Sequence, residues 1–203
     1  MTSRRLFVTR VYEASLAQEA GFAAFNSELG DTCRAIAAED LAGQAWCRDN
    51  AYGGYTSYAS LNDLTRRATV FDQLRRKLDR HVAAFAGELC LQMAGKLKLD
   101  SLWINILEPG AAHSGHIHPH SAISGTIYVV TPPGASGLRL EDPRLPMMMA
   151  APRRRTDAAE EHQTFVTLKP APGTLYLWES FVRHEVPANQ ARDERISLSF
   201  NYA

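Results

Sequence analysis

The pattern of apolar and polar residues changes near residue 98. Before it, apolar side chains recur at helical spacing, most clearly over Thr69–Met93, where they form one stripe beside a run of charged residues. A weaker helical pattern covers residues 13–43, and Leu6–Tyr12 has the composition of a first strand at a sheet edge. We therefore predict that residues 1–98 form a mainly helical N-terminal portion with one strand.

After residue 98, short runs with apolar character are separated by turns rich in proline and glycine. The runs lie within residues 101–110, 121–134, 136–144, 163–173, 173–180 and 194–203. Short strands at such spacing are typical of an all-β sandwich or barrel. We predict that residues 99–203 form a β core with the helices packed outside it, and that residues 1–203 make a single domain.

Composition narrows the class of protein. Lys plus Arg and Asp plus Glu both number 22, so the balance gives no sign of nucleic-acid binding. Three cysteines without metal-site spacing favour reduced thiols, and neither a bilayer-spanning run nor a signal peptide is evident. We expect a cytoplasmic protein that does not associate with membranes, and a homodimer is a reasonable assembly.

Two loops are candidates for contact with a substrate. Residues 49–60 are rich in glycine, serine and tyrosine, and this loop is either a surface connection or a place where a tyrosine lines a pocket. Residues 144–157 show no regular pattern and are either a mobile surface segment or a lid. Neither loop reveals the identity of the substrate.

Histidines supply the first candidate chemistry. Four of the seven lie between His113 and His120, directly before a predicted strand. If that segment is extended, His116 and His118 point to the same face and can share a metal, with His184 as a third ligand. Three protein ligands leave coordination positions open, as a catalytic metal requires. Either His113 or His120 could replace a ligand or lie beside the ligands.

A carboxylate-binding pair follows the last of these histidines. Arg195 and Ser197 share one face of the terminal strand. A guanidinium binds a carboxylate through two parallel hydrogen bonds, and a neighbouring hydroxyl adds a third donor. The alternative is an arginine that merely pairs with a surface acid.

The motifs of residues 101–203 resemble those of a bacterial family of 2-oxoglutarate/Fe(II)-dependent oxygenases. The similarity rests on His-x-His-Pro, Ser-Gly, Asp-Pro-Arg, Pro-x-x-Gly, His-x-Val-x-x-Asn and Arg-Ile-Ser-x-Ser-Phe-Asn, in that order. The resemblance implies a double-stranded β-helix, also called a jelly roll or cupin-like fold, supported by N-terminal helices. It also implies a dioxygenase that uses Fe(II), O₂ and 2-oxoglutarate to hydroxylate a C–H bond of an unknown substrate.

The resemblance also assigns roles to individual residues. It implies that iron is bound by His116, His118 and His184. It implies that 2-oxoglutarate is bound by Arg195 and Ser197. The further candidates for the cosubstrate pocket are Tyr128 and Asn105, with Trp103 beside them, and His113 and His120 are then left near the ligands or on the substrate side.

One position departs from the wider superfamily. The residue two after the first histidine is usually an acid there, whereas this chain has His118. Glu179, Glu185 and Asp142 are alternative carboxylates, although none has the expected spacing. A cupin-like three-histidine metal protein, either a dioxygenase independent of 2-oxoglutarate or a non-catalytic metal-binding module, is the alternative function.

Overall fold

The computed structural model describes residues 2–92 and 94–203 and has helices before most of its strands. The helices are α1 (Phe22–Glu39), α2 (Leu41–Asp49), α3 (Leu64–Arg67) and α4 (Thr69–Glu88), with 3-10 turns at Leu16–Gln18, Leu145–Met147 and Glu160–His162. The strands are β1 (Val11–Ser15), β2 (Gly54–Thr56), β3 (Leu99–Leu107), β4 (His113–His116), β5 (Ile123–Val130), β6 (Leu138–Glu141), β7 (Phe165–Leu168), β8 (Thr174–Glu179), β9 (His184–Val186) and β10 (Arg195–Tyr202). Within the described ranges, no helix is long and apolar enough to cross a membrane.

Helix α4 follows the predicted apolar stripe. Its buried side chains are Val70, Phe71, Leu74, Leu78, Val82 and Phe85. The helix ends at Glu88, and the backbone then turns through Cys90, which has a φ of 54°. The predicted end at Met93 lies outside the described residues. The periodicity therefore located the helix and its buried face but extended it too far.

The helical pattern of residues 13–43 is interrupted twice. Gly21 has a φ of 77° and precedes the first residue of α1, so this glycine begins the helix rather than lying inside it. Asp40 ends α1 and starts α2, where its carboxylate accepts a hydrogen bond from the backbone N–H of Gly43 at 3.0 Å. Such an N-cap satisfies a free N–H of the second helix and fixes the break.

The first strand lies later than predicted. It spans Val11–Ser15 instead of Leu6–Tyr12, although it does occupy an edge of its sheet. The segment before it is exposed, with Phe7 93% accessible and at a φ of 57°. The apolar composition of residues 6–8 therefore misplaced the strand, because pairing with β8 starts only at Val11.

Two antiparallel sheets form the core. The larger has the order β1-β8-β5-β10-β3-β2, and the smaller has the order β4-β9-β6-β7. The helices contribute to one apolar core with the larger sheet. A second core joins residues of both sheets, namely Tyr128, Leu138, Leu140, Tyr176, Trp178 and Val182. This arrangement confirms the predicted β fold with flanking helices.

Successive side chains of strand β10 point alternately to the apolar core and to the opposite face of the larger sheet. Ile196, Leu198 and Phe200 belong to the core shared with the helices. Arg195 and Ser197 occupy the alternate positions and line a cavity on the other side of the larger sheet. The two-residue period thus places a buried arginine between the sheets.

Candidate metal and cosubstrate site

Three histidine side chains converge where the smaller sheet faces the larger one. His116 ends β4 and pairs in register with His184, the first residue of β9. One ring nitrogen from each of His116, His118 and His184 lies within 4.8 Å of the other two. The Nε2 atoms of His118 and His184 are 3.2 Å apart. Because metal–imidazole bonds are about 2.1 Å long, these nitrogens are close enough to bind one ion.

Backbone carbonyls orient two of these rings. The Nδ1 atom of His184 lies 3.0 Å from the carbonyl oxygen of Val182. The Nδ1 atom of His116 lies 2.8 Å from the carbonyl oxygen of Ser114. A proton shared with a carbonyl at Nδ1 leaves the Nε2 lone pair available for a metal. Both rings are therefore held in the orientation and tautomer that a ligand needs.

Burial keeps the imidazoles neutral. It lowers the pKa of His184 to about 3, with His116 adding to the effect, and the pKa of His118 to about 4. Burial also lowers the pKa of His116, and it lowers that of His113 to about 4. A cluster of histidines that is uncharged at neutral pH presents lone pairs instead of positive charge.

The other two histidines of the predicted cluster lie outside the converging group. His113 stacks on His116, with ring centroids 4.5 Å apart, and meets the edge of Tyr52 at 5.6 Å. His120 is exposed and has a φ of 71°. His113 therefore lies directly behind a candidate ligand, whereas the turn after Pro119 places His120 on the surface.

Arg195 is a buried cation beside the histidines. It is 2% exposed, and its Nη1 donates to the Ser197 hydroxyl at 3.2 Å. The guanidinium carbon lies 4.8 Å from the centroid of the Tyr128 ring. Within the described residues, the Nε of Arg195 and the hydroxyl of Tyr128 are buried without a hydrogen-bond partner. Two unsatisfied donors in contact with each other are therefore available to an acceptor.

Asn105 and Trp103 lie on the adjacent strand β3. They line the same cavity as Arg195 and Ser197, which we call the inner cavity. The Asn105 side chain accepts from the Thr56 hydroxyl at 3.0 Å and donates to the Ser199 hydroxyl at 3.1 Å. The Trp103 ring stacks on His118 with centroids 5.6 Å apart. Asn105 is thus already hydrogen-bonded, while Trp103 supports a candidate ligand.

The alternative carboxylates lie elsewhere. Glu185 forms an ion pair with Arg139, and Asp142 pairs with Arg144 at 2.8 Å. Within residues 2–92 and 94–203, the converging group around His116 contains only histidines. The donor set of the structure is therefore three imidazoles.

Sequence reasoning missed Trp178. Its ring meets His184 edge-on with centroids 4.7 Å apart, and within the described residues its Nε1 is buried without a hydrogen-bond partner. The residue lies on β8, which falls in a predicted run, but the run does not reveal which sheet face a residue lines. A donor-only indole N–H beside the candidate metal adds a third unsatisfied donor to the inner cavity.

An outer cleft of about 540 Å³ opens beside the histidines. Tyr52 and Tyr58 from the predicted loop 49–60 line it, and a short strand, β2, lies between them. In the described part of the chain, no residue of 144–157 lines either the outer cleft or the inner cavity. Of the two predicted loops, 49–60 is therefore the one that borders the cleft beside the histidines.

Comparison with known proteins identifies the family. The model of the family described as "Putative 2OG-Fe(II) oxygenase" matches residues 101–201. The chain belongs to this oxygenase family. Enzymes of the family use Fe(II) and 2-oxoglutarate, in agreement with the three-histidine group and the predicted cofactors. No curated protein matches the sequence significantly.

Solved structures share the fold at low sequence identity. A Pseudomonas putida prolyl-4-hydroxylase is 20% identical with a TM-score of 0.61, over 96% of this chain and 92% of that one. The epimerase SnoN from nogalamycin biosynthesis is 14% identical with a TM-score of 0.65, over 96% and 78%. HygX from Streptomyces hygroscopicus, solved with nickel and 2-oxoglutarate, is 13% identical with a TM-score of 0.59, over 97% and 82%. These likenesses confirm the double-stranded β-helix.

Proposed function

We propose that this oxygenase hydroxylates an unactivated C–H bond and that His116, His118 and His184 hold its iron. The observation that carries the proposal is the convergence of three neutral imidazoles beside a buried, unpaired arginine. Imidazole is a suitable ligand for Fe(II), and three ligands leave positions for a cosubstrate and O₂. The overall reaction would convert R–H, O₂ and 2-oxoglutarate into R–OH, succinate and CO₂.

The polar groups that line or adjoin the inner cavity suit a carboxylate by their chemistry. Arg195 and Ser197 would bind the carboxylate that lies away from the metal, with the Tyr128 hydroxyl as a further donor. The Nε of Arg195 and the Tyr128 hydroxyl would then acquire an acceptor, and the buried cation would acquire an opposite charge. Asn105 would contribute by shaping the cavity wall, because its amide already bonds Thr56 and Ser199.

The protein contributes binding, orientation and exclusion of water. Bound iron together with 2-oxoglutarate supplies the oxidising power for O₂-dependent attack on a C–H bond. His116 and His184 are oriented by backbone carbonyls, and Trp103 and Trp178 pack against His118 and His184. The aromatic rings packed against His118 and His184 would limit access of water to the reacting atoms.

An anaerobic titration tests the assignment. Fe(II) is added to the protein, then 2-oxoglutarate, and the visible charge-transfer band of the chelate is recorded. We expect a band in the wild type and its loss in His184→Ala and His116→Ala, with 2-oxoglutarate-dependent succinate release once O₂ enters. Absence of the band from folded, iron-loaded wild type would overturn the proposal.

The all-histidine donor set supports one alternative. Three imidazoles carry one negative charge less than a set with a carboxylate, and such a set also suits zinc. A cupin-like metal protein without 2-oxoglutarate turnover would retain zinc against exchange with Fe(II). Metal analysis of the protein as isolated, followed by exchange under anaerobic conditions, distinguishes the two functions.

A further inference from the structure

The outer cleft has an aromatic wall. Four aromatic side chains contribute to it: Trp46, Tyr52, Tyr58 and Trp103. Tyr58 meets Trp103 edge-on with centroids 5.3 Å apart, and Trp46 lies 6.4 Å from Tyr52. Tyr58 is exposed and projects beside the opening. Rings with different tilts surround a space of the size that holds a small molecule.

The cleft is lined by a negative charge and by no lysine or arginine in the described chain. Among its lining residues in the described chain, Asp100 has the only carboxylate, and neither lysine nor arginine is present. Aromatic faces are electron-rich. The cleft therefore favours a positive group and offers nothing to balance an anionic one.

We propose that the substrate is a small organic cation, an amine or quaternary ammonium, whose positive nitrogen is held by the aromatic wall and Asp100. This inference rests on the proposed function, since the bond to be oxidised must face the histidines. Asp100 is the only carboxylate among the lining residues in the described chain, so the positive nitrogen lies at its end of the cleft. Asp100 and Trp103 are three residues apart on β3, which corresponds to about 10 Å along an extended strand.

A matched pair of probes tests the charge preference. Choline and its neutral isostere 3,3-dimethylbutan-1-ol have the same shape, so their difference in affinity reports the charge. Each is titrated by calorimetry into the full chain loaded anaerobically with Fe(II) and 2-oxoglutarate. We expect choline to bind about tenfold more tightly. Equal affinity, tighter binding of the alcohol, or no binding of either would overturn the proposal.

Substitutions locate the contacts. Asp100→Asn should reduce the choline preference about threefold, because an exposed ion pair contributes modestly. Tyr58→Leu should reduce choline affinity, whereas Tyr58→Phe, which keeps the ring, should retain it. Asp31→Asn on α1 removes an exposed acid outside the cleft and should leave both affinities unchanged. An unchanged preference in both Asp100→Asn and Tyr58→Leu would contradict the assigned site.

The charge-transfer titration separates this inference from the proposed function. If the band forms and the choline preference is absent, the substrate class is wrong while the oxygenase assignment stands. If the band does not form, the proposed function is wrong. Choline selectivity that persists in metal-free protein would then still show a cation site in the cleft.

Discussion

Substitution of Arg195 gives the sharpest test of the cosubstrate site. Its guanidinium lies in the core with one hydrogen bond, to Ser197, and within the described part of the chain it has no carboxylate within 4.0 Å. A buried cation without a counterion is energetically unfavourable unless a bound ligand supplies the opposite charge. We therefore expect Arg195→Ala and Arg195→Met to weaken 2-oxoglutarate binding strongly.

The magnitude follows from the burial of the pair. Removal of one partner from a buried charge pair costs about 3–5 kcal/mol, because the other charge is left uncompensated. At about 1.4 kcal/mol per tenfold change, the dissociation constant of 2-oxoglutarate should rise by between about two and nearly four orders of magnitude. Arg195→Lys keeps the charge but loses the planar fork, so its effect should be smaller.

The assay is the anaerobic band titration combined with calorimetry of 2-oxoglutarate binding to the Fe(II)-loaded protein. Arg195 is not a candidate ligand, so Fe(II) affinity should stay near the wild-type value and serves as the internal control. Arg195→Met keeps most of the side-chain volume, so its circular dichroism and Tm should remain close to those of the wild type. A dissociation constant within threefold of wild type in the folded Met variant would refute the carboxylate assignment.

Three further outcomes are expected. Tyr128→Phe should weaken 2-oxoglutarate binding yet leave the Tm of the ligand-free protein equal or higher, because the lost hydroxyl is buried and unsatisfied. Gly125→Ala should lower the free energy of unfolding by about 1–3 kcal/mol in chemical denaturation, since its Cβ would lie 2.5 Å from a Phe200 ring atom. The control Gly87→Ala meets no atom within 4 Å and should be neutral or stabilising. Asp40→Asn should lower the free energy of unfolding by about 1–3 kcal/mol, also measured by chemical denaturation.

The stabilising effect of the Asp40 carboxylate should also depend on pH. Burial raises the pKa of Asp40, but hydrogen bonds from Ser60, the Gly43 N–H and Tyr55 outweigh burial and hold the pKa below its ordinary value. A carboxyl whose pKa is lower in the folded state stabilises the protein above its unfolded pKa, and this contribution is lost as pH falls through the folded pKa. Denaturation of wild type and Asp40→Asn across the acidic range should show the difference shrinking as pH falls, and a constant difference would contradict it.

The sequence predicted the long strands of the larger sheet because apolar runs between turns mark them. Strands β5, β8 and β10 fall within predicted runs, and β3 overlaps one but begins two residues earlier. The family resemblance supplied their arrangement as a double-stranded β-helix. The first strand was misplaced because an exposed apolar segment and a paired edge strand have similar composition. Local composition identifies a segment that can pair, but the partner strand decides where pairing begins.

Strands β4 and β9 were not predicted from the sequence. They have four and three residues, too few for a two-residue period to show, whereas the equally short β6 and β7 lie between predicted turns. Yet the pairing of His116 with His184 across β4 and β9 is what brings the histidines together. The sequence named the correct group of side chains through motif spacing, whereas their separation and orientation depend on this long-range register.

The environment of His118 favours a histidine over the carboxylate that is usual at this position. Its ring stacks on Trp103 with an interplanar angle of 26° and on His184 with an angle of 9°. A flat imidazole suits this space, while an aspartate would place a desolvated anion against the electron-rich face of Trp103. Burial also keeps His118 uncharged, with its pKa near 4, so it can act as a ligand without first losing a proton at neutral pH. The aromatic packing around His118 therefore suits an imidazole at this position.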